Sequence, residues 1–242
     1  MKIVKSSVEL LHATPNAEQI IERAGRVCWK SEERITADSH VAFIKMLMEP
    51  GRKHESVLEH ASAGFSIVCD RGISHEIVRH RLCSYSQAST RYCNYSQGKF
   101  CGEISVIKPS DLVQGDPPGT PEFRAWLHSC QTAENEYLKM LEAGVKPQIA
   151  RSVLPTCLAT EIVWTANLRE WMHILTLRAA PSAHPDIRIV MKMILPHLLA
   201  IAPTVFEGFR SDDWLFCAPP NYSDPENVPL DFTRTGHGAN SG

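Results

Sequence analysis

"SAGFSIVCDRGISHEIVRHRLCSYSQASTRY", residues 62–92, contains both kinds of order found in this chain. Residues 62–70 alternate well enough for a strand, and 73–82, "ISHEIVRHRL", space their apolar positions as a helix does. A donor-rich run overlaps and follows: Arg79, His80, Arg81 and Arg91, interleaved with Ser84, Tyr85, Ser86, Gln87, Ser89 and Tyr92. For a bare R-H-R triplet, cations answering the negative pole of a helix dipole would be explanation enough. The hydroxyls and amide that follow at once are a different matter. They form the donor mixture that recognises phosphates and bases.

On the N-terminal side, "KIVKSSVELL" (2–11) predicts a first strand and "ATPNAEQ" a turn into a helix over 17–29. "TADSHVAFIKMLME" (36–49) predicts a helix capped by Asp38 or Ser39 and ended by Pro50 and Gly51. On the C-terminal side, "KFCGEISVIK" (99–108) reads as a strand, 120–143 as a long helix and "PQIARSVLP" as a short one. "TCLATEIVWTA" (156–166) is a further strand and "NLREWMHILTLRAA" (167–180) a helix. "HPDIRIVMKMILPHLLAIAP" (184–203) is another, kinked or capped late by Pro196. No regular β-α-β alternation appears. The expected class is α+β, a mixed central antiparallel sheet flanked by helices. No repeat or linker divides 1–218, so one domain is expected there. Residues 219–242, polar and rich in Pro, Gly and Asn, are expected to form a mobile tail.

A net charge of −2 argues against a general nucleic-acid or membrane-surface binder and for small-molecule partners. No run reaches the roughly 18 apolar residues of a membrane span. "MKIVKSSVELLHATPNAEQ" meets a charge and a proline too early for a secretory signal. The eight cysteines include no C-x-x-C pair. They read as free thiols in a reducing compartment, with the cytoplasm expected.

Several stretches resemble metal or nucleotide motifs but lack their geometry. "HEIVRH" (75–80) separates its histidines by five positions, about 140° on a helix, where zinc proteases use four. "HESVLEH" (54–60) fails likewise at six, and no metal is expected. "GHGANSG" lacks the strand and helix that make a dinucleotide loop. No Walker loop or G-x-S-x-G elbow is present. Arginine, by contrast, recurs in matched surroundings: Arg151 in "IARSVLP", then Arg169 and Arg178 nine positions apart, about 180° on an ideal helix. Arginine suits bidentate anion and base contacts. A nucleotide-like ligand is the natural inference, and a general phosphate binder is as far as the residues alone reach.

At these residues the chain resembles the flavin-dependent thymidylate synthase family. That family's R-H-R, seven residues, Ser signature is matched by Arg79-His80-Arg81 and Ser89. "HESVLEHASAGFSI", "SHEIVRHR", "SYSQASTRY", "ARSVLP" and "NLREWMHILTLRA" also match in order and approximate spacing, over roughly residues 15–210. The resemblance implies conversion of dUMP to dTMP, with 5,10-methylenetetrahydrofolate as carbon donor and FAD, reduced by NADPH, as hydride source. It implies a homotetramer with active sites shared between subunits. By position, His54, Ser56, Glu59, Arg79, His80, Arg81, Gln87, Asn167, Arg169 and His173 would lie around FAD. Glu76, Arg79, Gln87, Ser89, Arg91, Arg151 and Arg178 would hold dUMP.

The implied catalytic residue is Arg178. Guanidinium stays protonated, so its role would be to stabilise a uracil anion at the N3 edge. A thiolate adding to uracil C6 is the other known route. Cys157, in "LPTCLAT" and expected on a strand, reads instead as a buried inert thiol. Ser89 lacks a histidine and acid placed to activate it, so a hydrogen bond to the nucleotide is expected. Leu82 and Tyr85 are expected to pack. Some relatives carry Gln and Glu where this chain has Glu76 and Gln87. Ser182 stands where many have histidine, with His184 two residues on as a replacement, and His173 stands where many have Asn. Two rival functions are methylation of another pyrimidine nucleotide, such as UMP, and non-catalytic nucleotide binding.

Overall fold

The computed structural model describes residues 1–49, 54–100, 102–116 and 119–210. The proposed tail at 219–242, together with Pro50 and Gly51, lies outside the described residues. A four-stranded antiparallel sheet forms the centre, in the order β2 (Ser7–Ala13), β3 (Ser62–Asp70), β6 (Ala159–Asn167), β4 (Cys83–Gln87). β1 (Lys2–Val4) and β5 (Ser105–Ile107) make a separate parallel pair, tied to the main body by a bridge from Val106 to Leu158. The expected first strand is therefore two strands, broken at Lys5–Ser6 and shared between two sheets.

The inner strands are inner because of their side chains. β3 is buried on both faces, with Phe65, Ile67 and Cys69 on one and Gly64 and Val68 on the other. β6 alternates, placing Thr160, Ile162, Trp164 and Ala166 inside. They pair in register from Ser62 opposite Asn167 to Asp70 opposite Ala159. β4 is an edge strand that no apolar alternation in the sequence announces. It turns Ser84 and Ser86 outward and Cys83, Tyr85 and Gln87 inward.

Seven α-helices are described: α1 (Ala17–Trp29), α2 (Ser39–Leu47), α3 (Arg71–Ile77), α4 (Pro121–Glu142), α5 (Pro147–Ala150), α6 (Leu168–Arg178) and α7 (Pro185–Ile201). α1 packs close to α2 because Gly25 has no Cβ; one there would meet the Phe43 ring at 2.6 Å. At the start of α2, Ser39 Oγ accepts from Thr36 N at 2.9 Å and donates to buried Glu22. α7 runs on through Pro196 to Ile201. His184 caps α7: its Nδ1 accepts from Asp186 N at 3.2 Å, which engages the ring considered as a replacement at Ser182.

The main core gathers Trp164, Trp171 and Phe65, whose rings meet at 4.8 and 5.1 Å between centroids. A second cluster, around Tyr95, Tyr137, Ile104 and Leu158, packs under α4. Among the described residues no helix is long and apolar enough to cross a membrane.

Candidate functional site

β3 runs directly into α3, whose first turn is capped by the Asp70 carboxylate accepting from Ile73 N at 2.8 Å. The helix stops at Ile77, shorter than its apolar spacing predicts. Val78 N still donates to Ser74 O, but His80 N turns back to Ile77 O at 3.2 Å. The Tyr85 hydroxyl then reaches the carbonyls of Ile77 and His80, at 2.8 and 2.5 Å. Its single proton serves two acceptors, which draws the turn tight against β4. Arg79, His80 and Arg81 therefore sit on a stapled turn and not on a helix end.

β6 approaches from the other side. Asn167 Oδ1 accepts from Glu170 N at 2.8 Å and starts α6, which carries Arg178 at its last residue. Arg178 is held by three donors: Nε to His80 Nε2 at 3.0 Å, Nη1 to Glu76 Oε2 at 2.7 Å and Nη2 to Glu76 O at 3.1 Å. His80 is pushed down to about 4, first by burial and then by the charge of Arg178 and by His173. It is neutral at ordinary pH and free to accept.

Two cavities meet here. One of about 590 Å³ is lined by Arg79, His80, Arg81, Glu170, His173 and Arg178, among others. The other, of about 620 Å³, includes Glu59, Asn167 and Arg169, and shares Leu82, Glu170 and His173 with the first. Arg169 pairs with Glu59 at 2.7 Å and Glu55 at 3.6 Å. Arg169 and Arg178 thus face different partners, in accord with their opposite positions on the helix. Arg79 and Arg81 are exposed, with no ion pair among the described residues.

The remaining expected residues lie elsewhere along the chain. Gln87 donates to Ser74 Oγ at 2.9 Å and Thr160 Oγ1 at 3.2 Å, beside Arg71, which reaches Thr160 and Ala88 O. Arg151 donates to Thr90 Oγ1 at 3.1 Å. Ser89 Oγ accepts from Arg91 N at 3.3 Å, and the Arg91 guanidinium lies over the Tyr92 ring. Within one chain, Gln87, Ser89, Arg91 and Arg151 thus form a second group, joined to Arg178 by no hydrogen bond or ion pair among the described residues. His54, just before the 3-10 segment Glu55–His60, and Ser56 on it are exposed, and the same segment carries Glu59. Tyr85 packs as expected, but Leu82 is 75 % exposed and lines both cavities.

Glu170 went unread in the sequence although it borders both cavities and is buried. A signal existed. Glu170-x-x-His173 is an i, i+3 pair and must share a helix face. His80, Glu170 and His173 offer ligand atoms within 4.8 Å of one another. Yet Arg178 occupies one nitrogen of His80, and Arg79 and Arg81 line the same cavity. Counting Glu76 and Glu170 against Arg79, Arg81 and Arg178 still leaves a net positive charge, so the chemistry favours an anion. Cys157 precedes β6 instead of lying on it. Its Sγ is 3.4 Å from that of Cys130, and burial raises both thiols.

A family model described as "Thymidylate synthase complementing protein" matches residues 9–204. A flavin-dependent thymidylate synthase from Geobacter sulfurreducens is 34 % identical over 207 residues, 82 % of this chain and 84 % of that protein. One from Corynebacterium glutamicum is 35 % identical over 223 residues, 85 % of this chain and 84 % of that protein. Among solved structures, the UMP/dUMP methylase PolB from Streptomyces cacaoi, bound with 5-Br dUMP, aligns with a TM-score of 0.73 at 24 % identity. The alignment covers 86 % of this chain and 96 % of that one.

Proposed function

The chain belongs to the thymidylate synthase complementing protein family, the flavin-dependent thymidylate synthases, and we propose that Arg178 is the catalytic residue of its reductive methylation of dUMP to dTMP. The single observation that carries this role is the triple tether of Arg178 at the wall of a cavity containing unpaired cations. A guanidinium so fixed stabilises negative charge without reorganising as that charge develops.

The residues suit a flavin dinucleotide. Arg79 and Arg81 supply unpaired guanidinium groups to one of two adjoining cavities, a match for a pyrophosphate. His54, Ser56, Glu59, Arg79, His80, Arg81, Gln87, Asn167, Arg169 and His173 would hold FAD. When bound and reduced by NADPH, the flavin supplies the hydride, and 5,10-methylenetetrahydrofolate supplies the carbon. Arg178 would stabilise the uracil anion formed when the N3 proton passes to solvent, and that electron-rich ring is nucleophilic at C5 with no sulfur on C6. Glu76, Arg79, Gln87, Ser89, Arg91 and Arg151 orient the nucleotide. The phosphate would be met by the group around Arg151 and Arg91.

Those residues form two groups in one chain, which supports a homotetramer whose sites join neighbouring copies. Leu82, Leu177 and Tyr92, respectively 75 %, 48 % and 78 % exposed, give such an interface apolar surface. Release of tritium from 5-labelled dUMP, dependent on NADPH and methylenetetrahydrofolate, tests the function. The protein should purify yellow, and its flavin band should bleach with NADPH. An absent or unbleached flavin band would overturn the reading.

A further inference from the structure

Arg178 has a neighbour that is itself held. His80 is buried, and its Nε2 accepts the Arg178 Nε–H at 3.0 Å. Guanidinium has no acceptor atom, so this contact requires an unprotonated Nε2. In the neutral ring the proton then belongs on Nδ1. Facing Nδ1, at 3.6 Å, is Oε1 of Glu170, 7 % exposed and placed by the Asn167 cap of α6. The ring is further boxed by Trp164 at 5.8 Å and His173 at 6.0 Å. Its own carbonyl is held by Tyr85.

We infer that Glu170 is a positioning residue of the reaction: its carboxylate selects the Nδ1–H tautomer of His80, and that tautomer in turn aims Arg178. The logic is that of a carboxylate fixing a histidine through one nitrogen so that the other presents a lone pair. Here the lone pair orients a cation and abstracts no proton. With the opposite tautomer, an N–H would point at the guanidinium N–H, and the Nε anchor would be lost. Burial and the adjacent charge that hold His80 at about 4 keep the ring neutral, as the arrangement needs. The inference rests on the catalytic role proposed for Arg178.

Nitrogen-15 NMR of the full-length, histidine-labelled protein without substrate reads the tautomer directly. His80 is expected as Nδ1–H in the wild type and as Nε2–H in Glu170→Leu. In steady-state turnover, Glu170→Leu should lower kcat about 10- to 100-fold, the scale of a catalytic group displaced by about 1 Å. Flavin content and KM for dUMP should stay within about twofold, marking loss at the reacting centre and not of binding. Glu170→Gln retains an acceptor and should recover kcat to within about threefold of wild type. Wild-type His80 as Nε2–H would overturn the inference. So would wild-type kcat in a folded Glu170→Leu, or equal losses in the Leu and Gln variants. If the Leu variant does not fold, the wild-type tautomer and the Gln variant decide. The NMR result needs no turnover, so a wild type that releases no tritium would count against the synthase reading separately.

Discussion

Trp171 donates its indole N–H to the carbonyl of Ala63 at 3.0 Å, joining α6 to the central strand β3 across 108 positions of sequence. The bond fixes the roll of α6, so Glu170, His173 and Arg178 all inherit their direction from it. Both residues are fully buried. Trp171→Phe keeps an aromatic ring but leaves the acceptor without its donor. We expect a loss of about 1–3 kcal/mol, read as a lower urea midpoint with an unchanged slope.

Arg178→Lys retains a positive charge but cannot reproduce three directed bonds to His80 and Glu76. The variant should bind flavin and lose about 100- to 1000-fold in turnover, the range of one preorganised electrostatic contact. Tritium release against flavin absorbance separates the two effects. Near-normal turnover would remove Arg178 from the chemistry.

Cys157 sits against Cys130 with its thiol raised by burial, the opposite of an activated nucleophile. Cys157→Ala should therefore keep kcat within about twofold. A loss of several orders of magnitude would revive a thiolate mechanism.

His80 links stability to pH. Its folded value of about 4 lies below the ordinary 6.5, so the unfolded chain takes up a proton first on acidification. The stabilisation is fully present above pH 6.5 and is lost as pH falls through about 4. A shift of that size corresponds to roughly 3 kcal/mol. Thermal melts of wild type and His80→Gln between pH 7 and pH 4 should converge toward the acid end. Parallel curves would mean that His80 does not titrate in this range.

Strong local pattern was readable without coordinates. The helix over 17–29 and the strand over 62–70 appear with those bounds, because the amphipathic helix and the apolar strand each declare their period. β4 was hidden by its composition: Cys-Ser-Tyr-Ser-Gln alternates correctly, but hydroxyls stand where an edge strand meets solvent. The early end of α3 depends on Tyr85, a partner that reaches back from beyond the turn and that no helical periodicity encodes. In the site, the arginines could be read from their donor chemistry. The contact of Arg178 with His80 spans 98 positions and had no local sign. Gln87 illustrates a further limit, since its amide is engaged by Ser74 and Thr160, partners contributed by α3 and β6.

The order of strands also bears on how the chain acquires its shape. Ser66 and Glu161 hydrogen-bond at 2.9 Å across β3 and β6 although 95 positions separate them. Among the described residues β4 pairs only with β6, so it too must wait for that late strand. A nascent polypeptide can zip β2 onto β3 but keeps one side of β3 open until its final third leaves the ribosome. Closing so wide a loop carries an entropic cost before any contact rewards it, which slows folding and leaves an apolar strand edge open to aggregation meanwhile.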